Sequence, residues 1–221
     1  MVNHIIIYSH GFGVKYDDRG LFTDIAAAFS DTEHIMFNYN DIDEANNTMT
    51  ARPFDKQAQI LTEVFEKVRH DNSTATIDLI CHSQGCITAA LAELDVRRTI
   101  FLTPPMRVFS PDSDIFIKYP ATTDEDGTMH WPRRDGTTTI IGPDYWQSSS
   151  QLGGGIVELY NRLAQLTKLS VIGAGQDEIL GPVDYAKIDK NIGVALVDEA
   201  DHNFKGESRT ELIGRIEKII T

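Results

Sequence analysis

One serine stands at a bend where a nucleophile would be exposed. Residues 80–85 read Ile-Cys-His-Ser-Gln-Gly, so an apolar strand ends and a helix rich in small residues begins around Ser83. A nucleophile elbow has this context, and it needs small residues two positions before and two after the serine because the backbones approach closely there. Gly85 meets the second requirement, whereas Cys81 stands where the pattern has glycine. The segment therefore predicts a nucleophile at Ser83.

A serine hydroxyl needs a base that takes its proton, and histidine is the usual one. The candidate is His202, in the segment Asp-His-Asn-Phe that follows the last predicted strand. Such a histidine needs a carboxylate that fixes its tautomer and stabilises its cation. Asp177, which closes the segment Gly-Ala-Gly-Gln-Asp after an earlier strand, is the candidate acid, and Glu178 is its nearest rival. The residue types and their order predict a Ser–His–Asp triad.

A glycine-rich segment, His-Gly-Phe-Gly at residues 10–13, follows the first predicted strand. Cleavage of an ester or amide builds negative charge on the carbonyl oxygen, and aligned N–H donors stabilise that charge. The N–H groups of Phe12 and Gln84 are the expected donors, the latter reinforced by the positive end of its helix. A dinucleotide-binding loop is the rival interpretation, but no third glycine follows Gly11 and Gly13.

Short apolar runs alternate with helical stretches along the chain. Residues 5–7 are three consecutive isoleucines, as in a strand buried on both faces. In residues 54–69 the apolar positions recur at the spacing of one helix face. The alternation predicts an α/β fold with a doubly wound, mostly parallel sheet of about six strands. The predicted strands are 4–9, 34–39, 75–81, 98–103, 169–173 and 192–197. The candidate triad residues follow three of these strands, at the edge where parallel sheets place their sites.

Residues 106–150 interrupt this alternation. They lack a strong helical period, and turns at 124–127 and 135–136 separate apolar runs, a pattern that predicts β-hairpins. The runs are 115–119, 128–131 and 137–141. Within a single domain spanning 1–221, an insertion of this length favours a functional lid over a linker. The candidate substrate contacts within it are His130, Trp131, Tyr145 and Trp146, three of them aromatic side chains of the kind that walls an acyl pocket.

Composition and charge exclude several classes of function. The 221 residues include 20 basic and 33 acidic ones, for a formal net charge of −13. No stretch concentrates lysine and arginine, so nucleic acid and anionic membranes are poor partners. No apolar run approaches the roughly 18 residues of a membrane-spanning helix, and the first residues lack the basic flank of a signal peptide. We expect a cytoplasmic protein in which Cys81 and Cys86 are reduced and serve packing. The acidic clusters at 41–44 and 124–126 lack a metal-binding loop, and we expect neither a metal nor an organic cofactor.

Together, these motifs resemble the α/β-hydrolase superfamily, in particular its compact bacterial serine hydrolases with esterase-like or serine-aminopeptidase-like sequences. The resemblance covers residues 4–105 and 152–220, and the chain departs from it at Cys81. The roles it implies are nucleophile for Ser83, base for His202, orienting acid for Asp177 and oxyanion donors for Phe12 and Gln84. The implied reaction is hydrolysis of a small carboxylic ester through an acyl-enzyme.

Two alternatives stay open at this point. The same triad would serve an aminopeptidase, a thioesterase or a lysophospholipase-type acyl hydrolase. A peptidase would need an acidic group to hold the substrate amine, which Asp112 or Asp114 in the insertion could supply. The other alternative is a catalytically silent ligand-binding protein on the same fold.

Overall fold

Three consecutive isoleucines, Ile5 to Ile7, are fully buried in an interior strand of a parallel sheet. The computed structural model of the protein describes residues 4–118, 120–133 and 135–221. Its strands are β1 (His4–Ser9), β2 (Glu33–Ile35), β3 (Asp41–Asp43), β4 (Thr48–Ala51), β5 (Thr76–His82), β6 (Arg98–Leu102), β7 (Thr122–Thr123), β8 (Met129–Pro132), β9 (Thr138–Ile141), β10 (Lys168–Ala174) and β11 (Gly193–Val197). Its helices are α1 (Leu21–Ala28), α2 (Phe54–Asp71), α3 (Gln84–Ala92), α4 (Asp114–Lys118), α5 (Pro143–Leu152), α6 (Ile156–Leu163) and α7 (Glu207–Ile220). The main sheet has the order β11-β10-β6-β5-β1-β2, and all neighbouring strands are parallel.

Helices cover both faces of this sheet. Because successive strand residues point to opposite faces, Ile6 contributes to one core cluster with side chains of α1 and α7. Ile5 and Ile7 contribute to the other cluster, with side chains of α2, α3 and α6. Full burial of such a side chain contributes about 1.5–3 kcal/mol, so both layers fix the strands firmly. The arrangement confirms the predicted doubly wound α/β fold. No helix in the described parts of the chain is long and apolar enough to cross a membrane.

The register of the strands brings the candidate loops to one edge of the sheet. β1 pairs with β5 so that Ser9 lies opposite Cys81. The glycine-rich loop after β1 and the turn after β5 therefore leave the sheet side by side. β10 and β11 also end in register, with Ala174 opposite Val197. The segments that follow these two strands start at the same edge.

A second sheet combines the insertion with residues from outside it. Its strand order is β3-β4-β9-β8-β7. The hairpins β7–β8 and β8–β9 are antiparallel, as the turns predict. β4 joins them by pairing in parallel with β9, where Thr48 lies opposite Thr138. The β3–β4 hairpin just before Arg52 therefore extends this sheet.

Two segments of the insertion are helical where the sequence predicts hairpins. Residues 114–118 form α4, so the prediction of a strand at 115–119 is wrong for the part that the structure describes; Tyr119 lies outside it. A short apolar run does not distinguish helix from strand. Here the helix places the ring of Phe116 edge-on against the ring of Trp131. α5 begins at Pro143, a residue whose missing N–H costs no hydrogen bond in the first helical turn.

Candidate active site

Ser83 lies at the sharp turn between β5 and α3. Its φ of 50° and ψ of −124° are a strained conformation for a residue with a side chain. The N–H of Ser83 donates to the carbonyl oxygen of Leu102 at 2.9 Å, which ties the turn to β6. A Cβ atom at Gly85 would lie 2.1 Å from the carbonyl oxygen of Ser9. Glycine at this position therefore allows α3 to start directly against β1, as a nucleophile elbow requires.

Cysteine occupies the other small position of the elbow. Cys81 is fully buried, and the Sγ of Cys86, on α3, lies 3.5 Å from its carbonyl oxygen. Both thiols are free. Burial raises the pKa of each thiol well above its ordinary value, so neither is a thiolate at neutral pH. The two cysteines pack the elbow and do not compete with Ser83 as nucleophiles.

The three candidate triad side chains form one hydrogen-bonded chain. His202 Nε2 lies 3.0 Å from Ser83 Oγ, and its Nδ1 lies 2.8 Å from Asp177 Oδ2. An ionised carboxylate only accepts hydrogen bonds, so Nδ1 carries the proton and Nε2 is left to accept from the serine hydroxyl. Each of the three residues is 6–7% exposed. In this arrangement a histidine can take the proton of a serine.

The loop after β10 holds the Asp177 carboxylate from its other side. The N–H groups of Ile179 and Leu180 donate to Asp177 Oδ1 at 2.9 and 2.8 Å. Burial raises the pKa of Asp177, but the hydrogen bond and charge of His202, together with these N–H donors, outweigh burial and lower the pKa overall. The carboxylate is therefore ionised at neutral pH.

Glu178, the rival acid, contacts the main chain of His202 and not its ring. Glu178 Oε2 accepts a hydrogen bond from the His202 N–H at 3.0 Å. The ring nitrogen that a triad acid would hold is bonded to Asp177. Glu178 thus fixes the backbone position of the histidine.

The expected oxyanion donors both lie beside Ser83. Gln84 is the first residue of α3, so its N–H has no acceptor within the helix. Phe12 lies in the loop after β1 and lines the same cavity as Ser83. In the described parts of the chain, neither the Phe12 nor the Gln84 N–H has an acceptor. Both are therefore available to a carbonyl oxygen.

Known hydrolases share the fold that carries this site. Similar solved structures include an esterase from Butyrivibrio proteoclasticus with ferulic acid bound (TM-score 0.69, 13% identity, covering 99% of this chain and 88% of that chain). A second is the esterase domain of a Rhodothermus marinus protein, with a TM-score of 0.63 and 14% identity, covering 97% of this chain and 84% of that chain. A third is an α/β serine hydrolase homologue from Coxiella burnetii, with a TM-score of 0.62 and 16% identity, covering 100% of this chain and 88% of that chain. The chain has the α/β-hydrolase fold. No family model matches the sequence, and no curated protein does.

Beside the candidate triad lies a second histidine–aspartate pair, which the sequence alone does not reveal. His82 Nδ1 lies 2.8 Å from Asp18 Oδ2, and His82 Nε2 lies 2.9 Å from the carbonyl oxygen of His202. Both partners only accept, so this arrangement favours the doubly protonated, cationic form of His82. Burial lowers the pKa of His82, but the charge and hydrogen bond of Asp18 raise it overall. The pair therefore fixes the carbonyl of His202, whose N–H is held by Glu178.

The same ion pair lowers the pKa of Asp18. Burial acts to raise it, but the charge and hydrogen bond of His82 and the N–H of Gly11, which donates to Asp18 Oδ2 at 2.7 Å, lower it to about 2. Gly11 precedes Phe12, so Asp18 also holds the loop that carries an expected oxyanion donor. The signal that could have found Asp18 is the polar turn Asp-Asp-Arg-Gly at 17–20, which soon follows the glycine-rich loop.

We expect this pair to make stability depend on pH. The lowered pKa of Asp18 means that its contribution is present above its ordinary value near 4 and is lost as the pH falls towards 2. The raised pKa of His82 means that its contribution is complete below about pH 6.5 and is lost as the pH rises through the folded-state value. Asp18→Asn should therefore lower the free energy of unfolding by about 3 kcal/mol near pH 5.5 and by less near pH 9.

Urea unfolding of both proteins at these two pH values measures the effect. Asparagine tolerates the positive φ of 47° at this position, so the backbone is not the cause of a loss. An equal loss at both pH values would contradict the assignment of a charged pair.

A buried polar network holds the side chain of Gln84. Gln84 Nε2 donates to Gln57 Oε1 at 3.0 Å, and Gln84 Oε1 accepts from the hydroxyl of Tyr145 at 2.6 Å. Burial raises the pKa of Tyr145, which keeps that hydroxyl a donor. Tyr145, which the sequence suggests for the pocket wall, therefore supports Gln84, the residue after Ser83.

A cavity of about 60 Å³ lies next to Ser83 and shares its wall with a neighbouring cavity of about 390 Å³. Of the four candidate substrate contacts in the insertion, Trp131 lines both cavities and the other three line neither. Side chains alternate along β8, so His130 faces away from Trp131 and lies 2.9 Å from Asp124. Trp146 packs edge-on against Tyr145. Of these four residues, the structure thus places only Trp131 at the two cavities.

Charged residues that the sequence analysis misses also line these cavities. Arg19 and Arg133 contribute to the wall of both. Asp112 and Asp114 line a third cavity of about 980 Å³ between the insertion and the loop after β10, which shares Ile115 and Ile179 with the cavity beside Ser83. Within the described residues, no group of three or more His, Cys, Asp or Glu side chains could hold a metal ion.

Proposed function

We propose that this protein is a serine hydrolase that cleaves small carboxylic esters through an acyl-enzyme. The observation that carries the proposal is the hydrogen-bonded chain from Ser83 through His202 to Asp177, whose links measure 3.0 and 2.8 Å. The N–H groups of Phe12 and Gln84, which have no acceptor among the described residues, support it, as does the α/β-hydrolase fold shared with known esterases.

The proposed reaction has two half-reactions. Ser83 Oγ attacks the ester carbonyl while His202 Nε2 takes the hydroxyl proton, and the N–H groups of Phe12 and Gln84 stabilise the negative oxygen. The tetrahedral intermediate collapses, His202 returns the proton to the leaving alcohol, and the acyl group stays on Ser83. A water molecule, deprotonated by His202, then attacks the acyl-enzyme and releases the carboxylic acid. No step uses a metal or an organic cofactor.

Hydrogen bonds around the site support its preorganisation. His202 gains a positive charge in each half-reaction, and the ionised carboxylate of Asp177 stabilises that charge. The main chain of His202 is held at its N–H by Glu178 and at its carbonyl by His82. The imidazole therefore enters the reaction without a conformational search.

In the same proposal, residues 106–150 form a cap over the site within a single domain. Trp131 and Ile115 from this segment line the cavity beside Ser83, which supports its role in substrate binding. Arginines at this cavity argue against an aminopeptidase, which would need an acidic group there for the substrate amine. The free thiols of Cys81 and Cys86 support a reducing compartment, and we propose the cytoplasm.

A fluorophosphonate probe and a substrate panel test the proposal. We expect the probe to label the protein on Ser83, located by peptide mass spectrometry. The panel contains p-nitrophenyl esters from acetate to octanoate, aminoacyl anilides, an acyl thioester and a lysophospholipid. Fastest turnover of the short esters supports the proposal. Fastest turnover of the anilides, the thioester or the lysophospholipid would instead identify that substrate's bond as the one cleaved. Failure of both labelling and turnover, with a ligand that raises the melting temperature, would favour the silent binding protein.

A further inference from the structure

The wall of the cavities beside Ser83 contains a partly buried cation, Arg133, that forms no ion pair with the described residues. Arg133 lines both cavities. Its Nη1 atom is buried, and it has no hydrogen-bond partner among the residues that the structure describes. Buried polar groups normally have partners, because leaving one unpaired costs free energy, and most of all for a charged group. Nη1 itself points away from the open cavity, but Arg133 lines both cavities and forms no ion pair with the described residues, so the part of its side chain at the cavity wall is open to an anionic group of a ligand.

The structure holds this guanidinium in a fixed position. Its Cζ atom lies 4.0 Å from the ring centroid of Trp131, a cation–π contact. The main chain of Arg133 closes the β8–β9 turn, since its N–H donates to Thr137 O at 2.8 Å and its carbonyl accepts from Gly136 N–H at 3.1 Å. A Cβ atom at Gly13 would lie 3.2 Å from Nη1, so the glycine of the loop after β1 leaves room for the guanidinium.

The site keeps its positive charge at neutral pH. Burial and the neighbouring charge of Arg19 lower the pKa of Arg133 to about 10, which still leaves the group protonated near pH 7. A second cation is therefore close by. The chain as a whole carries a formal charge of −13, so a pair of arginines at this cavity opposes the overall charge of the protein.

The acidic groups around the cavities have other partners. Asp18 is paired with His82, and Glu178 accepts from the N–H of His202. Asp135 accepts from the N–H and the hydroxyl of Thr137, and its nearer carboxylate oxygen is 4.0 Å from Arg19. Lys205, in the wall of the larger cavity, lies 3.3 Å from Asp201. Among the residues that the structure describes, Arg133 makes no ion pair, although the charges of Asp135 and Asp18 act on it from a longer distance.

We propose that the ester cleaved at Ser83 carries a free carboxylate, which binds Arg133 with Arg19 as a second contact. This inference rests on the proposed function. A guanidinium binds a carboxylate through two parallel hydrogen bonds, and such charge-assisted bonds are stronger than neutral ones. Partial desolvation beside Trp131 strengthens the pair further, because less water competes for it. The site would select hemiesters of dicarboxylic acids over uncharged esters of the same size.

The test compares esters that differ in charge and hardly in size. Monoethyl succinate carries a carboxylate, and ethyl succinamate has an uncharged amide in its place; monoethyl adipate and ethyl adipamate repeat the comparison with a longer reach. The readout is kcat/KM from ethanol release. We expect the wild type to prefer the carboxylate ester by at least about 10-fold in one of the two pairs. Arg133→Gln should lower kcat/KM for that carboxylate ester by about 10- to 100-fold, and for its amide partner by no more than about twofold.

Arg215→Gln is the matched control. It removes one positive charge on α7, where Arg215 lies 2.7 Å from Glu211. It should leave kcat/KM unchanged for both the carboxylate ester and its amide partner. Equal wild-type rates for acid and amide esters at both lengths would overturn the inference. So would an equal loss on both esters in Arg133→Gln, because that pattern indicates a structural role.

A second measurement does not depend on the variant. Glutarate should inhibit wild-type hydrolysis of a neutral ester at concentrations at least about 10-fold lower than glutaramide does, and equal inhibition would overturn the inference. Failure of the proposed function has a different signature, namely no adduct on Ser83 and no turnover of any ester. A protein that labels at Ser83 and cleaves neutral esters without a carboxylate preference refutes the inference alone.

Discussion

Ser83→Ala is expected to lower kcat for ester hydrolysis by at least about three orders of magnitude and to abolish labelling by a fluorophosphonate. The reason is that Ser83 Oγ is the atom that forms the acyl bond in the proposed mechanism. The oxyanion donors and the cavity remain in the variant, so weak catalysis by binding alone can persist. Because alanine also has a Cβ, the positive φ of 50° costs about the same as for serine, and the fold should be retained.

The measurement is single-turnover and steady-state hydrolysis of a p-nitrophenyl ester, with circular dichroism as the check on folding. Ser208→Ala, a buried serine on α7, controls for the loss of a hydroxyl from the interior and should keep the parent rate. Turnover by Ser83→Ala within about tenfold of the wild type would contradict the mechanism. Neither cysteine could rescue it, since the pKa of each buried thiol is raised well above its ordinary value.

The main sheet could be predicted because its signals are local. Residues 5–7 are apolar on both faces of one strand, and the helices on the two sides bury them fully. The turn at Ser83 could be predicted for the same reason, since a strand, a serine and a glycine two residues later follow one another directly. Parallel strands then bring the segments after β10 and β11 to the same edge without any further information.

The second sheet depends on contacts that no local pattern encodes. β4 pairs with β9 across about ninety residues of sequence, and the pairing turns a polar segment into a strand. Residues 115–118 show the opposite case, where an apolar run becomes helical because Phe116 packs on aromatic rings. Side chains alternate between the two faces of β8, so Trp131 lines the cavity and His130 points to the other face. The register of β8 against β9 decides which of the two faces the cavity.

The charged groups of the site escaped prediction for a related reason. Asp18 and His82 are 64 residues apart, and each alone resembles an ordinary loop or strand residue. Arg133 stands beside another basic residue in a turn, a pattern typical of a solvated surface. Its burial follows from the position of its own guanidinium, over the ring of Trp131 and beside Gly13. Chemistry-bearing residues at strand ends are thus predictable, whereas the groups that tune them depend on tertiary contacts.

Asp177→Asn is the second variant for which we expect a very large effect, a loss of about three to four orders of magnitude in kcat/KM near pH 7. The geometry fixes how the asparagine would sit. The N–H groups of Ile179 and Leu180 both donate to Oδ1, so the amide oxygen should take that position and the NH₂ group should face His202 Nδ1. Nδ1 must then accept, the proton moves to Nε2, and the ring can no longer accept from Ser83 Oγ.

Glu178→Gln is the matched control, because the amide oxygen of glutamine can still accept from the N–H of His202. We expect it to lose less than about tenfold in kcat/KM, and a loss larger than that of Asp177→Asn would move the role of orienting acid to Glu178.

The dependence of stability on pH gives an independent measurement of the role of Asp177. The pKa of Asp177 is lowered in the folded protein, so its contribution is present above its ordinary value near 4 and is lost as the pH falls through the folded-state value. Asp177→Asn should therefore remove part of the acid sensitivity seen in urea unfolding, whereas Ser83→Ala should retain it. If both variants showed the wild-type acid profile, the carboxylate would not be the ionised partner of His202.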